Sequence, residues 1–268
     1  MIPDMPAAVG LLRTCWATGS ALVLVFDYDG TLVPLAPHPR LARPAPQMLE
    51  TLDRLTRLCH VHLGVISGRQ VAELQELLPV PRLFLAGTSG LEVDFCGVSV
   101  LHPRAGDALP VLRQVADRLD SLTRRFPGAW LERKRVGLTL HFRDIATDNA
   151  ATLVALAAEI LRPHSSHLKV HDGPLALEIT PDLGWTKGTA IRMMLESLAI
   201  AAPMVVYAGD SSNDVDAFEF VEQLGGLTIG IGDSAPALAK YRMESPHELF
   251  QWLTSLIQQL PTGCFSHE

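Results

Sequence analysis

The chain alternates short, unbroken apolar runs with longer stretches of helical spacing. Residues 21–26, ALVLVF, carry no polar alternation, the pattern of a strand buried on both faces; the run stops at Asp27 and Asp29, and Gly30 ends it. Ahead of it, residues 7–17 have the pattern of a short amphipathic helix covering one edge. Pro44 and Pro46 open a segment with Met48, Leu49, Leu52, Leu55 and Leu58 at helical spacing, which leads into VHLGVI at 61–66. Strand, helix, strand is a parallel crossover unit. After Ser67, Gly68 and Arg69, QVAELQELL resumes helical periodicity up to Pro79. LFLAG at 83–87 then predicts a third strand, and LEVDFCGVSVL a hairpin turning near Cys96 and Gly97.

The texture changes after Pro103. Residues 107–125 form a long amphipathic helix pattern, WLERK and GLTLHFR read as strands separated by a turn at Gly137, and 147–161 is an alanine-rich helix. LKVH and LALEI add two strands around Asp172 and Gly173, so the segment is a compact α+β module. From Lys187 the first texture returns. KGTAIRMMLESLA is helical, MVVYAG an apolar strand, 213–221 helical, GLTIGI a strand, and SAPALAKY and PHELFQWLTSLIQQL are closing helices. The predicted fold is α/β: a doubly wound, Rossmann-like parallel-sheet core of residues 1–102 and 185–268, carrying an inserted α+β cap at 103–184.

Composition narrows the class. The 268 residues are 48% hydrophobic and 19% charged, which excludes a disordered or fibrous chain. The net charge of −7, without a long basic run, argues against nucleic acid or an anionic membrane as the main partner. No apolar segment approaches the length of a membrane span. Asp4 precedes any basic residue and Arg13 breaks the first apolar run, unlike a signal peptide. Cys15, Cys59, Cys96 and Cys264 stand far apart with no CxxC pair, so neither a zinc site nor a disulfide framework is expected. The expectation is a soluble, cytoplasmic protein.

Polar residues of a related kind then fall at four predicted strand ends or helix starts. Asp27 and Asp29 can both point into the crevice beyond a parallel sheet, where two close carboxylates call for a cation, magnesium first. The Ser67 hydroxyl, with the amides of Gly68 and Arg69, can hold a phosphate oxygen. Lys187 supplies a point charge able to neutralise a pentacoordinate phosphorus and its nucleophile. Asp210 and Asp214 of GDSSND would approach the same cation. Each has an ordinary reading alone, as a turn, an exposed lysine or an N-cap cluster. In this order they describe a phosphoryl-transfer site. In the inserted module, Glu132 and Lys134 share one strand face and His141 and Arg143 share one face of the next; a carboxylate beside cations suits a sugar phosphate, although a charged outer hairpin face is the commoner meaning.

These motifs resemble the haloacid dehalogenase superfamily of phosphotransferases: Asp27, Asp29 and Thr31 match its first motif, Ser67 its second, Lys187 its third, and Asp210 with Asp214 its fourth. The resemblance implies that Asp27 is the nucleophile that forms an aspartyl phosphate, and that Asp29 protonates the leaving alcohol and later activates water. It also implies that Mg2+ is held by the Asp27 carboxylate, the Asp29 main-chain carbonyl and Asp210, with Asp214 in support. The Glu-x-Lys and His-x-Arg pairs, and Glu178-Ile179-Thr180-Pro181 before Lys187-Gly188, are similar to those of the trehalose-6-phosphate phosphatases, as is Arg69 after Ser67-Gly68. That likeness implies Glu132, Lys134 and Glu178 as sugar contacts, joined by His141, Arg143, Gly68 and Arg69 in substrate binding. It further implies functional coupling to a trehalose-phosphate synthase. Two departures are visible: Ser89 stands where a histidine is usual before Gly-x-Glu, and Ser211, Ser212 and Asn213 replace a more acidic, threonine-bearing fourth motif. Sucrose, glucosylglycerol and mannosylglycerate phosphates, a phosphomutase reaction, and sugar-phosphate binding without turnover stay open at this point.

Overall fold

A computed structural model of the protein describes residues 5–260 except 174 and 201. In chain order the helices are α1 (Met5–Ala17), α2 (Pro46–Thr56), α3 (Val71–Leu77), α4 (Leu109–Thr123), α5 (Thr147–Leu161), α6 (Lys187–Leu198), α7 (Val215–Gln223) and α8 (Pro246–Gln259). The strands are β1 (Leu22–Phe26), β2 (Val61–Ile66), β3 (Leu83–Gly87), β4 (Glu92–Phe95), β5 (Val98–Leu101), β6 (Trp130–Lys134), β7 (Gly137–His141), β8 (Leu168–Gly173), β9 (Ala176–Pro181), β10 (Met204–Gly209), β11 (Leu227–Ile231) and β12 (Tyr241–Met243). Two compact units result, one holding the chain through Ser99 and again from Thr186, the other Val100–Trp185.

The larger unit is built on a sheet ordered β12-β11-β10-β1-β2-β3-β4-β5, parallel from β12 through β3. This is the doubly wound arrangement predicted from the apolar runs. Every residue of β1 is buried because the sheet is covered on both sides. Leu22, Leu24 and Phe26 pack with α1, α2 and α8, while Val23 and Val25 pack with α6 and α7. After β1 the chain winds outward through β2 and β3; it returns at β10, on the other side of β1, and winds the opposite way through β11. The direction of winding therefore reverses between the parallel neighbours β1 and β10, and the crevice beyond their carboxyl ends is where such sheets bind ligands.

The smaller unit is an antiparallel sheet, β6-β7-β9-β8, with α4 and α5. Leu138, Leu140, Leu177 and Ile179 project from one face into an apolar core with Leu112, Val115 and Leu119 of α4 and Leu153 and Ala157 of α5. The alternate positions include Glu132, Lys134, Thr139, His141 and Glu178, as period-two patterning leads one to expect.

Four local expectations change. SAPALAKY is not a helix: Pro236 lacks the amide a helix interior needs, Ala235 and Ala239 lie against Gly230, and the Arg242 Nη2 donates to the carbonyls of Ala235 and Pro236, both at 3.0 Å. Its end becomes strand β12. The turn between β6 and β7 is Arg135-Val136, with Gly137 already paired to Lys134. Strand β7 stops at His141, so Arg143 lies in the following turn and not on the strand face with His141. Cys15 and Cys96 are free thiols, Cys59 is disulfide-bonded where the spacing predicted no pairing, and Cys264 lies outside the described residues. No helix among the described residues is long and apolar enough to cross a membrane.

Candidate active site

Asp27 follows β1 in the parity of Val23 and Val25, so its side chain falls on the side of the sheet covered by α6 and α7. Lys187 is the first residue of α6, whose start is fixed by a reciprocal capping pair between Thr186 and Thr189. Its side chain is buried, and its ammonium donates to Asp27 Oδ1 at 2.6 Å, Asp214 Oδ1 at 2.6 Å and Asn213 Oδ1 at 3.0 Å. A lysine at a helix N-terminus meets the unfavourable end of the dipole, so these acceptors hold it there. Burial alone would lower the ammonium, but Asp214 and Asp27 outweigh it and keep Lys187 above the ordinary lysine range.

Asp214 is saturated with donors. Its Oδ1 also accepts the Tyr207 hydroxyl at 2.6 Å, and its Oδ2 accepts the amides of Asp210 and Ser211, each at 3.0 Å. It therefore anchors Lys187 and shapes the loop after β10; with both oxygens committed, it is placed less as a metal ligand than as the support for one. Gly209 makes room for it, since a Cβ there would overlap the Asp214 carboxyl.

Asp210 is held differently. Gly30, at φ +85°, turns the chain after Asp29 so closely over Asp210 that a Cβ on it would overlap Oδ2. The Asp210 carboxylate forms an ion pair with no lysine or arginine among the described residues, and burial, with Asp214 adding to it, pushes its pKa up to about 7. Asp27 is likewise raised by burial, only partly offset by Lys187, with Asp214 and Asp210 adding to the rise. One oxygen from each of Asp27, Asp210 and Asp214 lies within 4.8 Å of the others. Lys187 balances one of these three charges, and a divalent cation would balance the remaining two. The donor set therefore fits a hard dication, with Asp210 supplying the uncommitted carboxylate.

On the other side of Asp27, Asp29 is gripped by Arg69: Nε donates to Oδ2 at 2.7 Å and Nη2 to Oδ1 at 2.8 Å. Nη2 also donates to the Pro39 carbonyl at 2.7 Å, and Nη1 to Glu73. Four of the five guanidinium N–H groups are thus occupied within the protein. Ser67 is buried just beyond the end of β2, one residue past the position level with Asp27 in the β1–β2 register. Helix α3 begins only at Val71, so Gly68 and Arg69 lie in the bend before it, where the Arg69 amide donates to Ser67 Oγ at 3.2 Å. The loop after β3 braces this bend: Thr88 N donates to the Arg69 carbonyl at 2.7 Å and Ser89 N to the Ser67 carbonyl at 2.9 Å. Thr88 and Ser89 both have positive φ, 49° and 55°, a conformation held in place by these bonds and by Thr88 Oγ1 donating to Glu92 at 2.6 Å.

In the smaller unit the register aligns Glu132 with Thr139, Thr139 with Glu178, and Glu178 with His171 across four strands. Glu132, Lys134, His141 and Glu178 share the sheet face opposite the apolar core. His141 Nε2 lies 2.9 Å from Glu132 Oε2, and its ring stacks on Trp130 with centroids 3.9 Å apart. Between the two glutamates, the buried Thr139 Oγ1 has no hydrogen-bond partner. Sequence reading did not single out Thr139, Trp130, Tyr207 or Glu73. An i, i+4 spacing links Glu73 to Arg69, and a two-residue step links Thr139 to His141; Tyr207 has no such mark, because a tyrosine in an apolar strand reads as core.

The Asp210 shift has a measurable sign. Its folded pKa is raised above the unfolded value of 3.8, so its contribution to stability is fully present below that value and is lost as pH rises towards 7. A cation competes with that proton. Thermal melts should show a larger divalent-cation stabilisation at pH 8 than at pH 5, and Asp210→Asn should remove most of the difference while stabilising the cation-free protein at pH 8. An equal cation effect at both pH values, or one unchanged in Asp210→Asn, would exclude Asp210 from the cation site.

The sequence model of the family described as trehalose-phosphatase matches residues 25–246. The chain is 33% identical over 268 residues to the trehalose-phosphate phosphatase of Mycobacterium bovis (strain BCG / Pasteur 1173P2), an alignment covering 97% of this chain and 66% of that protein. It thus spans just under two thirds of that relative's length. Among solved structures, the C-terminal domain of C. albicans trehalose-6-phosphate phosphatase superposes with a TM-score of 0.83 at 22% identity, covering 93% of this chain and 96% of that one. A haloacid dehalogenase-like hydrolase from Bacteroides thetaiotaomicron superposes at 0.63 and 17% identity, covering 88% and 99%. The fold is that of the haloacid dehalogenase-like hydrolases, and the chain belongs to the trehalose-phosphatase family.

Proposed function

We propose that the protein hydrolyses trehalose 6-phosphate to trehalose and phosphate through an aspartyl phosphate on Asp27. The observation that carries this reading is the buried cluster of Asp27, Asp210, Asp214 and Lys187 at the point where the direction of winding reverses, in a member of the trehalose-phosphatase family. Asp27 Oδ2 is free of the bond that ties Oδ1 to Lys187, which leaves one oxygen to attack phosphorus. As the new P–O bond forms, the bond to the sugar oxygen breaks and Asp29 gives that oxygen a proton. Water then attacks the aspartyl phosphorus, Asp29 takes its proton, and phosphate leaves with Asp27 restored. Ser67 and Lys187 hold the transferring oxygens. A magnesium ion on Asp27, Asp210 and the Asp29 carbonyl would supply the charge neutralisation that keeps Asp27 ionised despite its burial.

For the sugar, we propose Glu132, Lys134 and Glu178 as contacts, with His141 holding the Glu132 carboxylate in place through their 2.9 Å hydrogen bond. Carboxylates accept from sugar hydroxyls, and two glutamates flanking an unpartnered threonine hydroxyl suit a ligand rich in both donors and acceptors. A trehalose-phosphate synthase would supply the substrate, so functional coupling to such an enzyme belongs to the same proposal.

Phosphate release from a panel of sugar phosphates, with magnesium and with chelator, is the direct test. Trehalose 6-phosphate should be strongly preferred and its turnover should vanish on chelation; preference for another glycosyl phosphate would keep the reaction and overturn the substrate. Asp27→Asn should lower kcat by at least about 10⁴-fold while substrate still binds, as loss of a nucleophile does. Retention of more than a few per cent of activity would remove Asp27 from that role. Glu132→Ala should reduce kcat/KM for trehalose 6-phosphate by about 10²-fold, the effect of losing a strong polar contact, and leave a small aryl phosphate nearly unaffected. Equal losses on both substrates would show that Glu132 does not read the sugar.

A further inference from the structure

We infer that Arg69 is a positioning residue for Asp29 and does not bind the substrate phosphate; this rests on the phosphatase reading above. The geometry points one way. The Arg69 side chain is 6% exposed and the Asp29 side chain 33%, so the guanidinium lies behind the carboxylate it grips. The two parallel bonds, at 2.7 and 2.8 Å, fix the plane of the carboxylate as well as its distance, which a single point charge cannot do.

The guanidinium is itself fixed on its remaining sides. Glu73 and the Pro39 carbonyl take its other donors, and its Cζ lies 5.0 Å from the centroid of Tyr28, whose hydroxyl is pinned to the Ala42 carbonyl at 2.9 Å. Its backbone is held by Thr88 and by Ser67 Oγ. Arg69 thus joins the Ser67 bend, the segment around Pro39 and the loop carrying Asp29, and it sets where the proton donor stands relative to the serine that receives phosphate. A guanidinium meant for a phosphate would keep a bidentate edge open. Here that edge is filled by Asp29.

The two half-reactions make the inference testable. Transfer of phosphoryl to Asp27 from p-nitrophenyl phosphate expels p-nitrophenolate, which needs no proton; expulsion of a sugar alkoxide needs one from Asp29. Hydrolysis of the aspartyl phosphate needs Asp29 as base whichever substrate was used. In Arg69→Ala and Arg69→Lys, rapid mixing with p-nitrophenyl phosphate should therefore release close to one equivalent of p-nitrophenolate per enzyme at about the wild-type rate. Steady turnover should then be slower by about 10²-fold, the usual worth of a placed acid–base group. With trehalose 6-phosphate the first turnover itself should slow by about as much, with KM changed less than a few-fold.

Arg69→Lys keeps the charge without the fork and guards against a misfolded alanine variant, with melting curves recorded for both. A raised KM for both substrates without a burst would make Arg69 a phosphate ligand and overturn the inference. So would wild-type behaviour of Arg69→Lys, which would mean that charge alone suffices, or parallel loss of burst and turnover in step with a lowered Tm, which would mean a purely structural role. A wild-type protein that releases phosphate from neither substrate would overturn the phosphatase reading and this inference with it.

Discussion

The structure depends on one buried ammonium. Lys187 is 1% exposed and sits at the N-terminus of a helix, where both burial and the dipole oppose a positive charge. Asp27 and Asp214 hold it there, and each is buried in turn, so removing the ammonium would leave buried carboxylates without their counter-charge, at a cost of about 3–5 kcal/mol. The arrangement ties the end of β1, the start of α6 and the loop after β10 into one unit. Tyr207 and the amides of Asp210 and Ser211 complete it by filling the remaining lone pairs of Asp214. Asp210 is then presented from a loop that Asp214 has already shaped, and its carboxylate is left for something outside the chain.

Much of this was legible because buried parallel strands are apolar throughout, so a polar residue at their carboxyl ends stands out. Asp27, Ser67 and Asp210 stand out that way, and the sheet order brings their strand ends to one edge. What sequence could not show was which acceptor is already satisfied. Asp210 and Asp214 look alike in GDSSND, yet four donors converge on Asp214 and leave Asp210 uncommitted. Arg69 reads as a ligand-binding arginine in a turn; its partners Asp29 and Pro39 are 40 and 30 residues away, so only the folded chain shows them. Tyr207 falls in the parity of Val205 on a buried strand, and nothing in the sequence distinguishes a packed tyrosine from one whose hydroxyl supports an aspartate.

The smaller unit was read by a different rule. Alternation in an antiparallel strand separates core from outer face, so Glu132, Lys134 and His141 could be placed together without knowing their neighbours. Extending the rule to Arg143 failed because alternation holds only while the strand lasts, and β7 stops at His141. Thr139 is the converse case. Its parity puts it among the polar residues, its small size hid it from a search for charges, and the register sets its unpartnered hydroxyl between two glutamates.

Charge balance links binding to chemistry at the core site. Arg69 is shared between Asp29 and Glu73, and Lys187 offsets one of the three clustered carboxylates, which leaves that cluster with two uncompensated negative charges. A phosphate monoester is a dianion near neutral pH. Each like-charge pair about 4 Å apart in a partly buried site costs on the order of 4 kcal/mol before any opposing contact is counted, so the bare cluster would repel the phosphate of the proposed substrate. Asp27 and Asp210 would hold a dication, whose charge would offset that repulsion and favour the ionised Asp27 that the proposed attack needs. On the proposed reading, the unpaired Asp210 would make phosphate binding and ionisation of Asp27 depend on the same event, the arrival of the cation.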